Sequence, residues 1–283
     1  MELLELAGLF PEYEFHFSGF MEIELGNRLE VEKRLEYKKI DVVINCLENP
    51  KYHFPELDIS LVTGLIARAT KVLADTCHKR NILLIQVSTD EVFDGQQEGS
   101  YDEERTKRPL SLYGNLKDGL EKIILKAAPK NSIIIRSSWL YSIYGDNILK
   151  SIVRNLKKGG EVYLEEDKIS SPTNAWELAF FILEHCIETK FKSGETYHLR
   201  SEGWCSKYEF GKEVQKYIPS SCKILPVKSA DGWHEEEMDY LRVLNNHKVV
   251  SKFNYRTSHW KTGIANCMHL MDRNYGRDYS GNV

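Results

Sequence analysis

Apolar positions in the first half of the chain follow two alternating spacings. Continuous apolar or β-branched runs occupy residues 41–46 (DVVINC), 81–89 (NILLIQVST) and 132–139 (SIIIRSSW). Between these runs, residues 56–79 and 113–127 repeat apolar side chains at helical spacing. Buried strands that alternate with amphipathic helices predict a parallel sheet with right-handed crossovers. In front of them, residues 1–10 predict a helix and residues 13–19 (YEFHFSG) a further strand.

Beyond Gly145 the elements become shorter. Helices are predicted at 146–160, 175–189 and 206–217, and strands at 161–166 and 196–200. We therefore predict a doubly wound α/β domain over residues 1–154. Residues 155–283 are predicted to form a smaller α/β lobe, interleaved with the first domain.

Charge and hydropathy exclude several classes of protein. The net charge of −4 and the pI near 6.2 argue against a nucleic-acid-binding protein, which usually has a basic face. The sequence contains no apolar run of about 18 residues that could span a membrane. Glu2 and Glu5 stand where a secretory signal would carry positive charge. These observations predict a cytoplasmic protein with no membrane partner.

Cysteine and histidine spacing gives no sign of a metal site. The six cysteines are widely spaced with no Cys-x-x-Cys, which favours reduced, mostly buried thiols over a disulfide framework or a zinc site. The nine histidines show no ligand spacing either. The residues themselves therefore predict no metal.

Candidate chemistry lies at the end of the second predicted strand. Ligands of open α/β sheets bind outside the carboxyl ends of the strands, where Ser88 and Thr89 fall. Tyr113 and Lys117 are four residues apart, which places both on one face of a helix. A neighbouring ammonium lowers the pKa of a tyrosine from about 10 and makes it a better proton donor and acceptor near neutral pH. The pattern predicts a general acid for carbonyl reduction, assisted by the Thr89 hydroxyl.

The Tyr-x-x-x-Lys spacing is a weak signal when it stands alone. A second copy occurs at Tyr208 and Lys212, and a solvated helix face is the alternative explanation for either pair.

Several motifs in order give the first copy a context. They are STDEVFDG (88–95), YDEE (101–104), YGNLK (113–117), RSSWLYSIYGDN (136–147), EDKISSPTNAWELA (166–179) and LRVLNNHKV (241–249). Together they resemble the dTDP-4-dehydrorhamnose reductase branch of the extended short-chain dehydrogenases, in register over nearly the whole chain. The resemblance implies reduction of the C4 keto group of a dTDP-4-keto-6-deoxy-L-sugar by NADPH or NADH. Such a reaction belongs to the synthesis of dTDP-L-rhamnose for cell-surface or coat polysaccharide.

The resemblance also implies that residues 1–154 form a Rossmann-like dinucleotide-binding domain whose first strand and glycine loop are missing, and that residues 155–283 form the substrate-binding lobe.

The resemblance further assigns roles to residues. Thr89 would hold the C4 carbonyl oxygen, Tyr113 would protonate it, and Lys117 would bind the cofactor ribose. The implied cofactor contacts are Asn45, Cys46, Ser88, Tyr113 and Lys117, and the implied substrate contacts are Asp90, Val92, Phe93, Trp139, Asn147, Thr173 and Arg242. Relatives also suggest Mg²⁺ and a homodimer.

Five of these substrate residues also have simple structural explanations. Trp139 at a strand end fits a core position, and Asn147 or Thr173 fits the N-cap of the following helix. For Arg242 the alternative is a surface salt bridge. Asp90 is expected to shape its loop through backbone hydrogen bonds.

Three departures from the family pattern concern the cofactor. The sequence has no Gly-x-x-Gly-x-x-Gly turn to receive a pyrophosphate at a helix N-terminus, as though about fifteen residues were missing in front of Met1. Leu47 and Glu48 stand where relatives have small residues. Glu91 replaces the tyrosine of the phrase Ser-Thr-Asp-Tyr-Val-Phe.

These departures leave three explanations open. The reading frame starts late, or the protein is a degenerate reductase, or it is a non-catalytic sugar-nucleotide-binding or regulatory subunit, as in the methionine adenosyltransferase regulatory subunit of the same fold.

Overall fold

The structure is a computed structural model that describes residues 1–19, 27–47, 59–96, 99–187, 194–228 and 240–275. Its helices are α1 (Glu2–Leu6), α2 (Arg28–Tyr37), α3 (Ile59–Arg80), α4 (Leu112–Ala127), α5 (Ile148–Lys158), α6 (Ala175–Phe181), α7 (Lys207–Gln215), α8 (His247–Phe253) and α9 (Trp260–Tyr275). Its strands are β1 (Val42–Asn45), β2 (Leu83–Thr89), β3 (Ser132–Ser137), β4 (Leu140–Tyr141), β5 (Glu161–Glu165), β6 (Lys168–Ser170), β7 (Thr173–Asn174), β8 (Glu195–His198), β9 (Cys205–Ser206), β10 (Lys223–Val227) and β11 (Tyr240–Arg242).

The central sheet is parallel throughout the described chain. Its strands lie in the order β1-β2-β3-β8, and Ile85 of β2 stands opposite Ile44 of β1 and Ile133 of β3. All residues of β2 and β3 are buried. Strands covered on both faces need apolar side chains on both faces, which explains why these segments read as continuous apolar runs.

Helices cover both faces of this sheet. Leu84 points to one face, where it packs with Leu73 of α3 and Ile124 of α4. Its neighbour Ile85 points to the other face and packs with Phe181 of α6. The predicted doubly wound α/β architecture is therefore confirmed.

A second core lies beside the sheet. The parallel pair β5–β10 and helices α5, α7 and α9 enclose it, with Phe210 stacked on Trp260 at its centre. The short strands β6, β9 and β11 form a separate three-stranded sheet.

Strand β8 shows that the chain returns to the central sheet after this second core begins. Residues 195–198 pair with β3 in parallel register, Ile135 opposite Tyr197. The strand predicted at 196–200 therefore extends the central sheet. The division at residues 154 and 155 stays a prediction.

The strand predicted at residues 13–19 is wrong. This segment forms no strand, and its alternating aromatic residues pack on one another instead. Phe10 contacts Tyr13 and Phe180 of α6, and Tyr13 and Phe17 flank Phe15. Ring-on-ring packing satisfies the apolar side chains without sheet hydrogen bonds.

All six cysteines are free thiols, and five are buried, as predicted. Cys46 is the exposed one. In the described segments, no helix has the length and apolar character that a membrane crossing would need.

Candidate active site

The site forms where β2 ends and α4 begins. Thr89 is the last residue of β2, and it stands opposite Ser137, the last residue of β3. A short 3₁₀ turn, Asp90–Val92, follows Thr89. The N-terminal turn of α4 packs against this 3₁₀ turn, which brings Tyr113 and Lys117 to the same edge of the sheet as Thr89.

Ser111 and Gly114 explain why α4 starts where it does. The Ser111 hydroxyl accepts a hydrogen bond from the Gly114 amide at 2.9 Å, as an N-cap residue does. Gly114 is buried, and a Cβ at this position would collide with the carbonyl oxygen of Glu91. Only glycine therefore lets the helix approach the turn so closely.

Lys117 is fixed between two strands. Its side chain is 3% exposed, and its ammonium donates to the carbonyl oxygens of Leu47 at 3.0 Å and Val87 at 3.3 Å. The Nζ atom lies 5.5 Å from the centroid of the Tyr113 ring. The structure thus places the predicted tyrosine and lysine together, beside the ends of β1 and β2.

A buried polar cluster lies behind Thr89. The Thr89 hydroxyl donates to Oδ1 of Asp90 at 3.2 Å and accepts from the Glu91 amide. Oδ2 of Asp90 accepts from the hydroxyls of Ser138 and Ser170, at 2.8 and 2.9 Å. Asp90 is 2% exposed, so three hydroxyl donors replace the water that its carboxylate has lost.

Burial raises the pKa of Asp90, and the nearby charge of Arg242 and the two serine hydroxyls oppose that rise. Arg242 ends β11, and its carbonyl oxygen lies 2.9 Å from the Ser170 hydroxyl, where it competes with Asp90 for the single hydrogen of that group. The half-buried Arg242 therefore acts electrostatically on the Asp90 cluster, and both its predicted contact with substrate and the alternative surface salt bridge stay predictions.

Val92 and Phe93 are fully buried core residues. Phe93 stacks on Tyr101 with ring centroids 4.4 Å apart, and the Arg136 guanidinium lies 5.3 Å from the centroid of its ring. Both side chains anchor the end of the Asp90–Val92 turn in the core. Their predicted contact with substrate stays a prediction.

A buried ion network holds Ser88. Glu121 of α4 accepts from the Ser88 hydroxyl at 2.5 Å and from Arg136 at 2.8 Å, and it pairs with Lys107. Burial alone would raise the pKa of Glu121, but Arg136, Lys107 and Ser88 together hold it below its usual value. The helix is thereby tied to β2 and β3 through a carboxylate that stays ionised.

The cofactor contacts implied by the resemblance include Asn45 and Cys46 at the end of β1. The Asn45 amide donates to Gln86 at 2.7 Å and accepts from the Leu47 amide, so it shapes the turn after the strand. Cys46 is exposed at that turn. Their contact with a dinucleotide stays a prediction. No described glycine makes a cradle for its pyrophosphate, and Glu48 lies outside the described residues.

Trp139 lies at the mouth of a separate cleft of about 370 Å³. Its backbone is left-handed, with φ of 35°, a conformation that costs energy for a bulky residue and recurs at functional sites. Lys207 of α7 lines the same cleft, with Nζ 5.9 Å from the centroid of the indole and 2.6 Å from Glu165. Trp139 follows Ser137 by two residues, and Ser137 pairs with Thr89 in the central sheet, so the cleft lies near the end of β3.

Asn147 and Thr173 have structural partners. The Asn147 amide caps α5, accepting from Leu149 and Lys150 and donating to two carbonyl oxygens. The Thr173 hydroxyl accepts from the Ser138 amide at 3.2 Å and donates to the Leu199 carbonyl. Asn174 caps α6, so the cap considered for Thr173 is wrong by one residue.

Sequence reasoning missed Ser111, Gly114, Ser138, Ser170 and Lys207. A serine directly before a helical pattern and an isolated glycine within it were available signals for the first two. The serines of the Asp90 cluster have no local signal, because they lie 48 and 80 residues from it along the chain.

The parallel sheet with helices on both faces, and polar residues at its carboxyl edge, define a Rossmann-like α/β protein. The profile of the RmlD substrate binding domain family matches residues 4–273. The chain therefore belongs to that family.

Three relatives are similar over nearly their whole length. The dTDP-4-dehydrorhamnose reductase of Aggregatibacter actinomycetemcomitans is 28% identical over 265 residues, 90% of this chain and 89% of the relative. The crystal structure of the Bacillus anthracis dTDP-4-dehydrorhamnose reductase in complex with NADP superimposes with a TM-score of 0.81 and 25% identity, covering 92% and 91% of the two chains. The crystal structure of a dTDP-4-dehydrorhamnose reductase from Clostridium acetobutylicum superimposes with a TM-score of 0.82 and 25% identity. The match covers 96% of this chain and 95% of the other.

In the described residues, no group of three histidine, cysteine or acidic side chains is arranged to hold a metal ion. The Mg²⁺ and the homodimer implied by the resemblance stay predictions, as does the cytoplasmic location.

Proposed function

We propose that the protein is an NAD(P)H-dependent reductase of a dTDP-4-keto-6-deoxy-L-sugar, acting in the synthesis of dTDP-L-rhamnose. The observation that carries the proposal is the Thr89, Tyr113 and Lys117 arrangement at the carboxyl edge of the sheet. Family membership, and relatives named as reductases of this sugar, one of them bound to NADP, support it.

Lys117 is the residue that would hold the nicotinamide ribose. Two carbonyl oxygens hold its ammonium at the ends of β1 and β2, 5.5 Å from the centroid of the Tyr113 ring. A bound NAD(P)H would supply the hydride that reduces the C4 carbonyl. The positive charge of Lys117 stabilises negative charge on the Tyr113 oxygen once its proton has moved.

Tyr113 would give its proton to the C4 oxygen as that atom gains negative charge. The Thr89 oxygen would lie beside the same atom. In the structure the Thr89 hydrogen is directed at Asp90, so it must rotate to donate to substrate. Rotation is a small motion for a hydroxyl, and Asp90 keeps its two serine donors when it occurs.

The Trp139 cleft is our proposed site for the nucleotide part of the substrate. Its indole offers an apolar surface for a base, and Lys207 offers positive charge for a diphosphate. Because the cleft opens beside the end of β3, a nucleotide bound there would leave its sugar near Thr89.

The test is NADPH oxidation with dTDP-4-dehydrorhamnose as substrate. Tyr113→Phe is expected to lower kcat by about 10²-fold to 10⁴-fold, the usual contribution of a general acid. Tyr208→Phe is the matched control, since Tyr208 and Lys212 have the same spacing on α7, and it should leave kcat within about 2-fold. Equal activity in the two variants would contradict the proposed role of Tyr113.

A further inference from the structure

Besides the Glu121 network, one contact close to both residues bears on the distance between Thr89 and Tyr113. Thr89 ends a strand and Tyr113 belongs to a helix, so no single element holds both. The 3₁₀ turn Asp90–Val92 packs on the N-terminal turn of α4 between them. Whatever fixes the turn against the helix also fixes the two reactive oxygens relative to each other.

Glu91 touches every part of this contact. Its amide donates to the Thr89 hydroxyl at 3.2 Å. Its carbonyl oxygen occupies the space left by the absent Cβ of Gly114. Its carboxylate Oε2 accepts from the Ser111 hydroxyl at 2.6 Å.

The carboxylate determines how Ser111 caps the helix. A serine hydroxyl has one hydrogen, and this one is given to Glu91, which leaves an oxygen lone pair directed at the Gly114 amide 2.9 Å away. A negative charge at a helix N-terminus is also favourable toward the helix dipole. Both effects pull the start of α4 onto the turn that follows Thr89.

We propose that Glu91 is a positioning residue of the reductase, whose carboxylate locks Ser111 and thereby sets the position of Tyr113 relative to Thr89. The inference rests on the proposed function. It also gives a use to the residue that stands where the family phrase has a tyrosine.

The experiment compares Glu91→Ala, Glu91→Gln and Ser111→Ala in NADPH oxidation. Glu91→Ala is expected to lower kcat by about 10-fold to 100-fold with little change in the KM for NADPH, because a small misplacement of a reacting group has effects of this size. Glu91→Gln keeps an oxygen acceptor for Ser111 and should recover most of kcat. The double variant Glu91→Ala/Ser111→Ala should be no slower than Glu91→Ala alone, since both changes break one contact.

Two controls separate positioning from general destabilisation. Asn27→Ala removes the N-cap of α2 at a similar cost in stability and should leave kcat unchanged. With NADPH deuterated at the transferred hydrogen, the isotope effect should increase in Glu91→Ala and not in Asn27→Ala. Unchanged kcat in Glu91→Ala, or a loss that Glu91→Gln does not recover, would overturn the proposal.

A readout without turnover keeps the two proposals distinguishable. Hydrogen exchange of the amides of residues 112–117 should become faster in Glu91→Ala and stay unchanged in Asn27→Ala. If wild-type protein does not turn over, the proposed function fails, and the positioning role of Glu91 in catalysis fails with it. An unchanged exchange rate at residues 112–117 would show that the Glu91–Ser111 hydrogen bond does not hold the start of α4, and would overturn the proposal.

Discussion

The Nε2 atom of His198 lies 3.1 Å from Nη1 of Arg136. Arginine can only donate, so Nε2 must be the unprotonated nitrogen, and the proton on Nδ1 is donated to the Tyr101 carbonyl oxygen at 3.1 Å. The imidazole is fully buried, and burial with the Arg136 charge holds the pKa of His198 well below its usual value. The histidine is therefore neutral in the folded protein at neutral pH.

A pH dependence of stability follows from this neutral histidine. Below about pH 6.5 His198 becomes protonated in the unfolded chain but not in the folded chain. The free energy of unfolding therefore decreases as the pH is lowered, by at most about 1.4 kcal/mol per pH unit. His198→Asn should flatten this slope between pH 6.5 and 5 in urea unfolding curves. His269→Asn, at an exposed position, should keep the wild-type slope. Equal slopes in all three proteins would contradict the assignment.

Gly114 and Gly119 offer a matched pair of substitutions in one helix. Gly114→Ala forces a Cβ against the Glu91 carbonyl, and overpacking of this kind costs about 1–3 kcal/mol. Gly119 has open space around its Cα, so Gly119→Ala should stabilise the helix by about 0.5–1 kcal/mol. Thermal melts would measure both, and kcat should fall only in Gly114→Ala. A stable, fully active Gly114→Ala protein would mean that the close approach is not required.

Thiol reactivity tests the burial of the cysteines. Cys46 is exposed, whereas burial raises the pKa of Cys77, Cys186 and Cys267 to about 12 in each case. Because the thiolate is the reactive form, we expect one fast-reacting thiol in the native protein and six in denaturant. The reaction with a chromogenic disulfide at pH 8 gives the count. Cys46→Ser should remove the fast phase, and a second fast thiol would show that the core opens.

Much of the central sheet can be predicted from sequence, for a physical reason. The strands β2 and β3 are buried on both faces, so their continuous apolar runs admit few other structures, and the helical spacing around Tyr113 matched α4 to within one residue. The strand predicted at residues 13–19 does not form, because alternate aromatic residues can pack on one another as well as they can pair in a strand. Local patterns do not distinguish these two outcomes.

The site shows the same division. Thr89, Tyr113 and Lys117 could be predicted because strand end and helical spacing are local properties. The partners of Asp90 could not, since Ser138, Ser170 and Arg242 reach it only through the packing of three strands. Glu91 was visible only as a departure from the family phrase, and its contact with Ser111 emerges from the structure.

The most direct test of the account is a calorimetric titration of NADPH into the folded protein. We expect saturable binding with one site per chain. Lys117→Met should weaken it by about 10-fold or more, since a hydrogen bond to a charged group contributes about 1.5–3 kcal/mol. Lys212→Met, in the second Tyr-x-x-x-Lys copy, should bind as wild type does. Absence of NADPH binding by folded protein, or equal binding by the two variants, would contradict a reductase centred on Tyr113 and Lys117.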